Sequence, residues 1–258
     1  MNKIKLEICS FSLNAVINAA KSGADRIELC KEPFAGGTTP DYALIKMSCE
    51  KIEIPVFSII RPRGGDFLYD DNEFEMMKLS ISQCKELGCK GVVFSVLLPD
   101  NKIDIDRTSK LVELAFPMET TFIRGFDLTP DPFSALEDIK KTGCKRILTS
   151  GLKEKSTDNT LLLKQLVDLA GNDIIIMPGS GINKDNLKQL IKETGAKEFH
   201  ASARKIIPNQ NDIIDNLGFG NYFDCDTNQI IEMKMIANHY DNWIYGNELI
   251  FLFILSAI

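Results

Sequence analysis

No two of the seven cysteines in this chain are spaced C-x-x-C. That absence removes the ordinary zinc ribbon. The odd, scattered count also removes a small disulfide scaffold, so the cysteines read as reduced thiols of a cytoplasmic protein. No basic stripe is present and the formal net charge is −6, which argues against a nucleic-acid binder. The last ten residues, Leu249 to Ile258, are almost wholly apolar. They are half the length a bilayer requires, and no membrane span is expected. Nor is an opening signal peptide expected, since Met1-Asn2-Lys3-Ile4-Lys5-Leu6-Glu7 is already charged and alternating.

What is present is a strand-then-helix rhythm. Strands are expected at Lys5–Phe11, Arg26–Cys30, Pro55–Pro62, Gly91–Leu98, Glu119–Phe126, Arg146–Gly151, Ile174–Gly181 and Glu198–Arg204. Amphipathic stretches lie between them at Leu13–Lys21, Asn72–Leu87, Asp106–Phe116, Pro132–Lys141, Thr157–Ala170 and Asp185–Glu193, with apolar residues three to four apart. Eight strands alternating with helices in 258 residues match one closed (β/α)8 barrel better than an open sheet. A repeat supports this reading. Gly23-Ala24-Asp25-Arg26, Gly88-Cys89-Lys90-Gly91, Gly143-Cys144-Lys145-Arg146 and Gly195-Ala196-Lys197-Glu198 each end a helix on glycine and enter an even-numbered strand. Cys89 and Cys144 therefore belong at the bottom of the barrel, away from the usual catalytic face. The core is expected over residues 1–205. Beyond it, Lys205–Phe223 reads as a long loop and Thr227–His239 as a closing helix, and the tail from Asp241 onward fits no element. The apolar Leu249–Leu255 would form a sticky patch on a monomer and suggests self-association.

The chemistry gathers at strand ends. Ile59-Ile60-Arg61-Pro62-Arg63-Gly64-Gly65-Asp66 turns an apolar strand abruptly into two arginines and two glycines. Guanidiniums there need anionic or hydrogen-bonding partners. Glu7-Ile8-Cys9 and Glu28-Leu29-Cys30 repeat one pattern on adjacent strands. Residues two apart share a face, so both glutamates and both cysteines should point inward. His200, Ser202 and Arg204 are expected to share the face of the last strand, and Arg61, Arg63, Arg124 and Arg204 to neutralise the glutamates. Two thiols and an imidazole suit a soft metal, while buried cysteines can equally serve as small hydrophobes. A different ligand is suggested by Gly179-Ser180-Gly181 after the seventh strand, where such barrels cradle phosphate. With Ser202 and the four arginines, this loop would hold a small phosphorylated or carboxylated ligand. Glu7, Glu28 and His200 are then candidates for general acid–base work.

With these residues the chain resembles the CutC family of copper homeostasis proteins. The matching segments are Leu6–Cys9, Gly23–Cys30, Gly36–Pro40, Ile60–Phe67, Leu148–Gly151, Gly179–Gly181 and Phe199–Arg204. The resemblance spans about residues 4–205. It implies a TIM barrel, a cytosolic location, copper handling, and Cys9 and Cys30 as the copper(I)-binding cysteines; homodimers are plausible on the same ground. One departure stands out. The family's fifth strand usually reads Thr-Phe-His-Arg-Ala-Phe-Asp, and this chain has Thr121-Phe122-Ile123-Arg124-Gly125-Phe126-Asp127. Ile123 can neither ligate a metal nor transfer a proton.

Overall fold

Apolar strands flanked by capped helices close this chain into a barrel. The computed structural model describes residues 3–208, 217 and 221–240. Eight parallel strands run in chain order: β1 Lys5–Ser10, β2 Arg26–Leu29, β3 Val56–Ile59, β4 Gly91–Phe94, β5 Glu119–Phe122, β6 Arg146–Thr149, β7 Ile175–Pro178 and β8 Glu198–Ala201. Each pairs with its sequence neighbour, and β1 also pairs with β8. A parallel bridge between Gly179 and His200 joins the remaining edges above β7 and β8. The helices are α1 Leu13–Lys21, α2 Tyr42–Lys51, α3 Asp71–Glu86, α4 Ile105–Ala115, α5 Pro132–Thr142, α6 Thr160–Ala170 and α7 Leu187–Thr194, with α8 over 227–240. Side-chain oxygens of Ser12, Asp41, Asp70, Asp104, Asp131 and Asn159 accept from backbone N–H groups in the first turns of α1 to α6. These donors have no partner within the helix, so the caps fix where each helix begins.

The fourth position of the glycine repeat acquires a meaning in three dimensions. Arg26, Gly91, Arg146 and Glu198 open the even strands, and alternate strands supply each side-chain layer inside such a barrel. Arg26 donates to Glu198 at 2.7 Å and Arg146 Nε donates to the same carboxylate at 3.0 Å. Gly91 leaves the space that the Phe57 ring fills, since a Cβ there would stand 2.5 Å from the ring. Both guanidiniums lie against that ring, at 4.8 and 5.2 Å from its centre. The floor of the barrel is thus an ionic layer packed on an aromatic face.

Several boundaries differ from expectation. The third strand ends at Ile59 and the fifth at Phe122, followed by a 3-10 turn over Arg124–Leu128. The eighth ends at Ala201, because Ala203 adopts φ 39 and breaks the extended backbone. Arg204 therefore does not continue the face of His200. It opens β9 (Arg204–Ile207), which pairs antiparallel with β10 (Tyr222–Cys225). The expected Lys205–Phe223 loop is in fact bounded by a hairpin. Asn18 bonds Asp224 at 3.1 Å, and α8 buries Ile230, Met233 and Ala237. The helix α2 was not anticipated, and the Leu249–Leu255 tail lies outside the described residues. No described helix is long and apolar enough to cross a membrane.

Candidate metal centre at the barrel mouth

Glu7 and Glu28 are inward on β1 and β2, as the alternation of apolar Leu6, Ile8, Ile27 and Leu29 requires, and both are buried. Cys9 and Cys30 follow on the same faces, one step closer to the mouth. Their sulfurs are 3.6 Å apart, and Cys30 Sγ is 3.5 Å from Glu28 Oε2. His200 comes in from β8: its Nδ1 is 2.8 Å from Glu7 Oε1 and its Nε2 is 3.7 Å from Glu28 Oε2. The ligand atoms of Cys9, Glu28 and Cys30 lie within 4.8 Å of one another, as do those of Glu7, Glu28 and His200.

Charge partners set the protonation of this cluster. Burial alone would raise Glu7, but the Arg26 guanidinium and His200 outweigh it and hold the carboxyl well below its ordinary range. Burial pushes Glu28 the other way, reinforced by Cys9 and Glu7, so its carboxyl rises well above normal. The hydrogen bond shared with Cys30, with help from His200 and Glu28, outweighs burial and brings the Cys9 thiol down to about 6. Burial and the bond to Cys9 drive the Cys30 thiol up. Burial opposes charge on His200, yet Glu28, Cys9 and Glu7 together raise it well above 6.5. The centre therefore presents one thiolate and one thiol beside an imidazole whose orientation Glu7 fixes. Thiolate is the form that ligates metals.

The strand-end arginines do not meet there. Arg61 is buried, but its terminal nitrogens donate to the carbonyls of Ala35, Gly37 and Gly65 at 2.7, 2.9 and 2.6 Å. Arg63 bonds Glu73 and Asp66, and Arg124 bonds Asp127 and Ser150. Arg204 is exposed, stacks on Phe223 and, among the described residues, its side chain has a single hydrogen-bond contact, 3.5 Å from the Pro33 carbonyl. The neutralising role expected of these four falls instead to Arg26 at Glu7 and to His200 beside Glu28. Gly179 packs against Leu148 and His200, with no space for a Cβ. Gly181 and Ser202 are exposed at the rim. Ile123 is buried and adds no titratable group. Asp127 was not singled out in the sequence, yet it accepts from the backbone of Ser150 and Leu152 and from both hydroxyls of Thr149 and Ser150. It organises the loop after β6.

A family described as the CutC family matches residues 4–205, nearly the whole barrel. The chain belongs to the CutC family. The mouse copper homeostasis protein cutC homolog is 44% identical over 203 residues, covering 79% of this chain and 75% of that protein. A CutC family protein of Parabacteroides distasonis is 47% identical over 205 residues, 78% of this chain and 84% of that one. The crystal structure of the CutC protein from Streptococcus agalactiae superposes with a TM-score of 0.74 at 32% identity, covering 77% of this chain and 98% of that chain. Membership in CutC places the chain in a copper homeostasis family. The donor set, two sulfurs, an imidazole and carboxylates, fits a soft thiophilic ion.

Proposed function

We propose that this CutC protein binds Cu(I) at Cys9 and Cys30 in the mouth of the barrel, as a cytosolic copper-handling protein. The observation that carries this reading is the buried pair of sulfurs at 3.6 Å, one of them with its thiol lowered to about 6. A soft monovalent ion bound by the thiolate and the thiol displaces the one thiol proton to solvent and forms a copper bis-thiolate of charge −1. His200 stands alongside as a further donor, held by Glu7. Its raised pKa makes proton release from the ring part of any ligation through nitrogen. The protein's relatives are named for copper homeostasis, which supports the choice of metal.

Anaerobic Cu(I) titration against a chromophoric chelator tests this. Wild type should hold an ion that Cys9→Ser/Cys30→Ser does not. Equal stoichiometry and affinity in the two proteins would remove the assignment.

A second reading, binding of a small phosphorylated or carboxylated ligand at the rim, is favoured by Arg204. Among the described residues it forms no carboxylate pair of the kind that holds Arg63 and Arg124 and lacks the three carbonyl acceptors that hold Arg61, and it stands two residues from exposed Ser202. A thermal-shift screen of phosphosugars and organic acids tests it. Stabilisation lost in Arg204→Ala supports it, and no stabilisation by any anion discards it.

A further inference from the structure

The barrel has a second meeting point of thiols, at the end opposite the mouth. Cys49 lies near the end of α2, Cys84 near the end of α3, and Cys89 in the short loop that enters β4. Cys49 Sγ and Cys89 Sγ are 3.7 Å apart. The Cys89 N–H donates to the Cys84 carbonyl at 3.0 Å, which folds the loop back under α3. Hydrogen bonding to Cys89 lowers the thiols of both Cys49 and Cys84, while the Cys89 thiol is itself driven up by them. Cys84 and Cys89 are buried, and Cys49 is half-buried.

We propose that Cys49 and Cys89 form a second soft-metal site taking Cu(I). Three physical features support this. First, two thiolates on one ion with metal–sulfur bonds of about 2.3 Å stand roughly 3.8 Å apart at tetrahedral angles and roughly 4.0 Å apart at trigonal ones. A two-coordinate ion with collinear bonds spans about 4.6 Å, so the observed 3.7 Å pair needs to open by at most about 0.9 Å. Second, the carbonyl ends of α2 and α3 converge on the cluster, and the negative ends of two helix dipoles favour a cation over bare thiolates. Third, the ligand count selects the metal. A closed structural zinc site takes four ligands. The described residues bring the thiols of Cys49 and Cys89 together here, and no group of three ligand atoms within 4.8 Å of one another includes them. A low-coordinate, thiolate-loving ion is what such a set accommodates. Cys49, the only partly exposed member, is the entry ligand.

On binding, each ligating thiol that becomes a thiolate releases its proton to solvent, and no electron moves. The site lies across the barrel from Cys9 and Cys30, so the two can be separated by mutation.

The test is anaerobic Cu(I) titration of the full chain with bathocuproine disulfonate as competitor. Four proteins are compared: wild type, Cys9→Ser/Cys30→Ser, Cys49→Ser/Cys89→Ser, and the quadruple variant. Mass-spectrometric alkylation of Cys49 with iodoacetamide is followed in parallel. The expected stoichiometries are two, one, one and none, with Cys49 protected from alkylation by Cu(I) in Cys9→Ser/Cys30→Ser. If that variant binds no copper and Cys49 stays equally reactive with and without it, the second site is overturned, while a single ion in wild type leaves the mouth site standing. If Cys49→Ser/Cys89→Ser binds none and Cys9→Ser/Cys30→Ser still binds one, the mouth assignment fails and this one survives. Should the double serine variant not fold, Cys49→Ala removes the half-buried entry ligand alone and must abolish the protected ion.

Discussion

Gly91 is where the lack of a side chain allows two arginines to sit inside the barrel. The Phe57 ring occupies its place and gives Arg26 and Arg146 an aromatic surface. Gly91→Ala would force a Cβ into that ring, and overpacking of this kind costs about 1–3 kcal/mol. A lowered urea midpoint with an unchanged slope is the expected result; an unchanged midpoint would show that the ring can move freely. Arg26 carries more. It bonds Glu7 and Glu198 together, so Arg26→Met leaves two buried carboxylates short of a partner. Removing one member of a buried ion pair costs roughly 3–5 kcal/mol, which chemical denaturation should show. Glu7→Gln tests the site more selectively. Glu7 orients His200 through the 2.8 Å contact with Nδ1, and loss of an outer partner typically weakens metal binding by about 10- to 100-fold. Cu(I) affinity should fall by that order if His200 is a ligand, and should not change if the ring is a bystander.

Among the elements, the barrel strands were legible because each is a short apolar run, the even-numbered ones announced by a helix-ending glycine. The inward Glu-x-Cys pairs were legible because a strand alternates faces. What failed was the assignment of charge. Arg63 and Arg124 had acids three residues on, Asp66 and Asp127, which absorb them locally, and Arg61 is absorbed by carbonyls no sequence pattern reveals. The ionic floor was missed although its sign was written in the repeat, as Arg, Gly, Arg and Glu at one position. The helix α2 escaped notice because it buries little beyond Ile45 and Ser48. The hairpin of β9 and β10 was hidden by Pro208 and the polar residues between its strands. Among these late elements α8 is the one that carries stability. Met233 is fully buried against the barrel, and truncating such a side chain costs about 2–5 kcal/mol. Met233→Ala should lower the unfolding midpoint of the whole protein in one transition; a separate, early transition would show that α8 docks independently.

For the whole molecule, the buried carboxylates set the response to acid. Burial raises Glu198, but Arg146 and Arg26 outweigh it, so Glu198 and Glu7 both lie below their ordinary value of 4.5. Groups of this kind stabilise fully above the unfolded value and lose that contribution as pH falls through the folded one. Unfolding free energy should therefore decline as pH drops below about 4.5, and Glu198→Gln should flatten the decline. Glu28, raised by burial, acts at higher pH and does not offset this limb. A protein that gained stability on acidification below 4.5 would contradict the ionic floor. The central claim is that the mouth thiols hold copper. Copper X-ray absorption tests it most directly, on Cys49→Ser/Cys89→Ser loaded anaerobically with one equivalent of Cu(I). A sulfur-dominated first shell, lost when Cys9 and Cys30 are also replaced by serine, is the predicted result. A first shell of nitrogen and oxygen alone in the protein that retains Cys9 and Cys30 would contradict it.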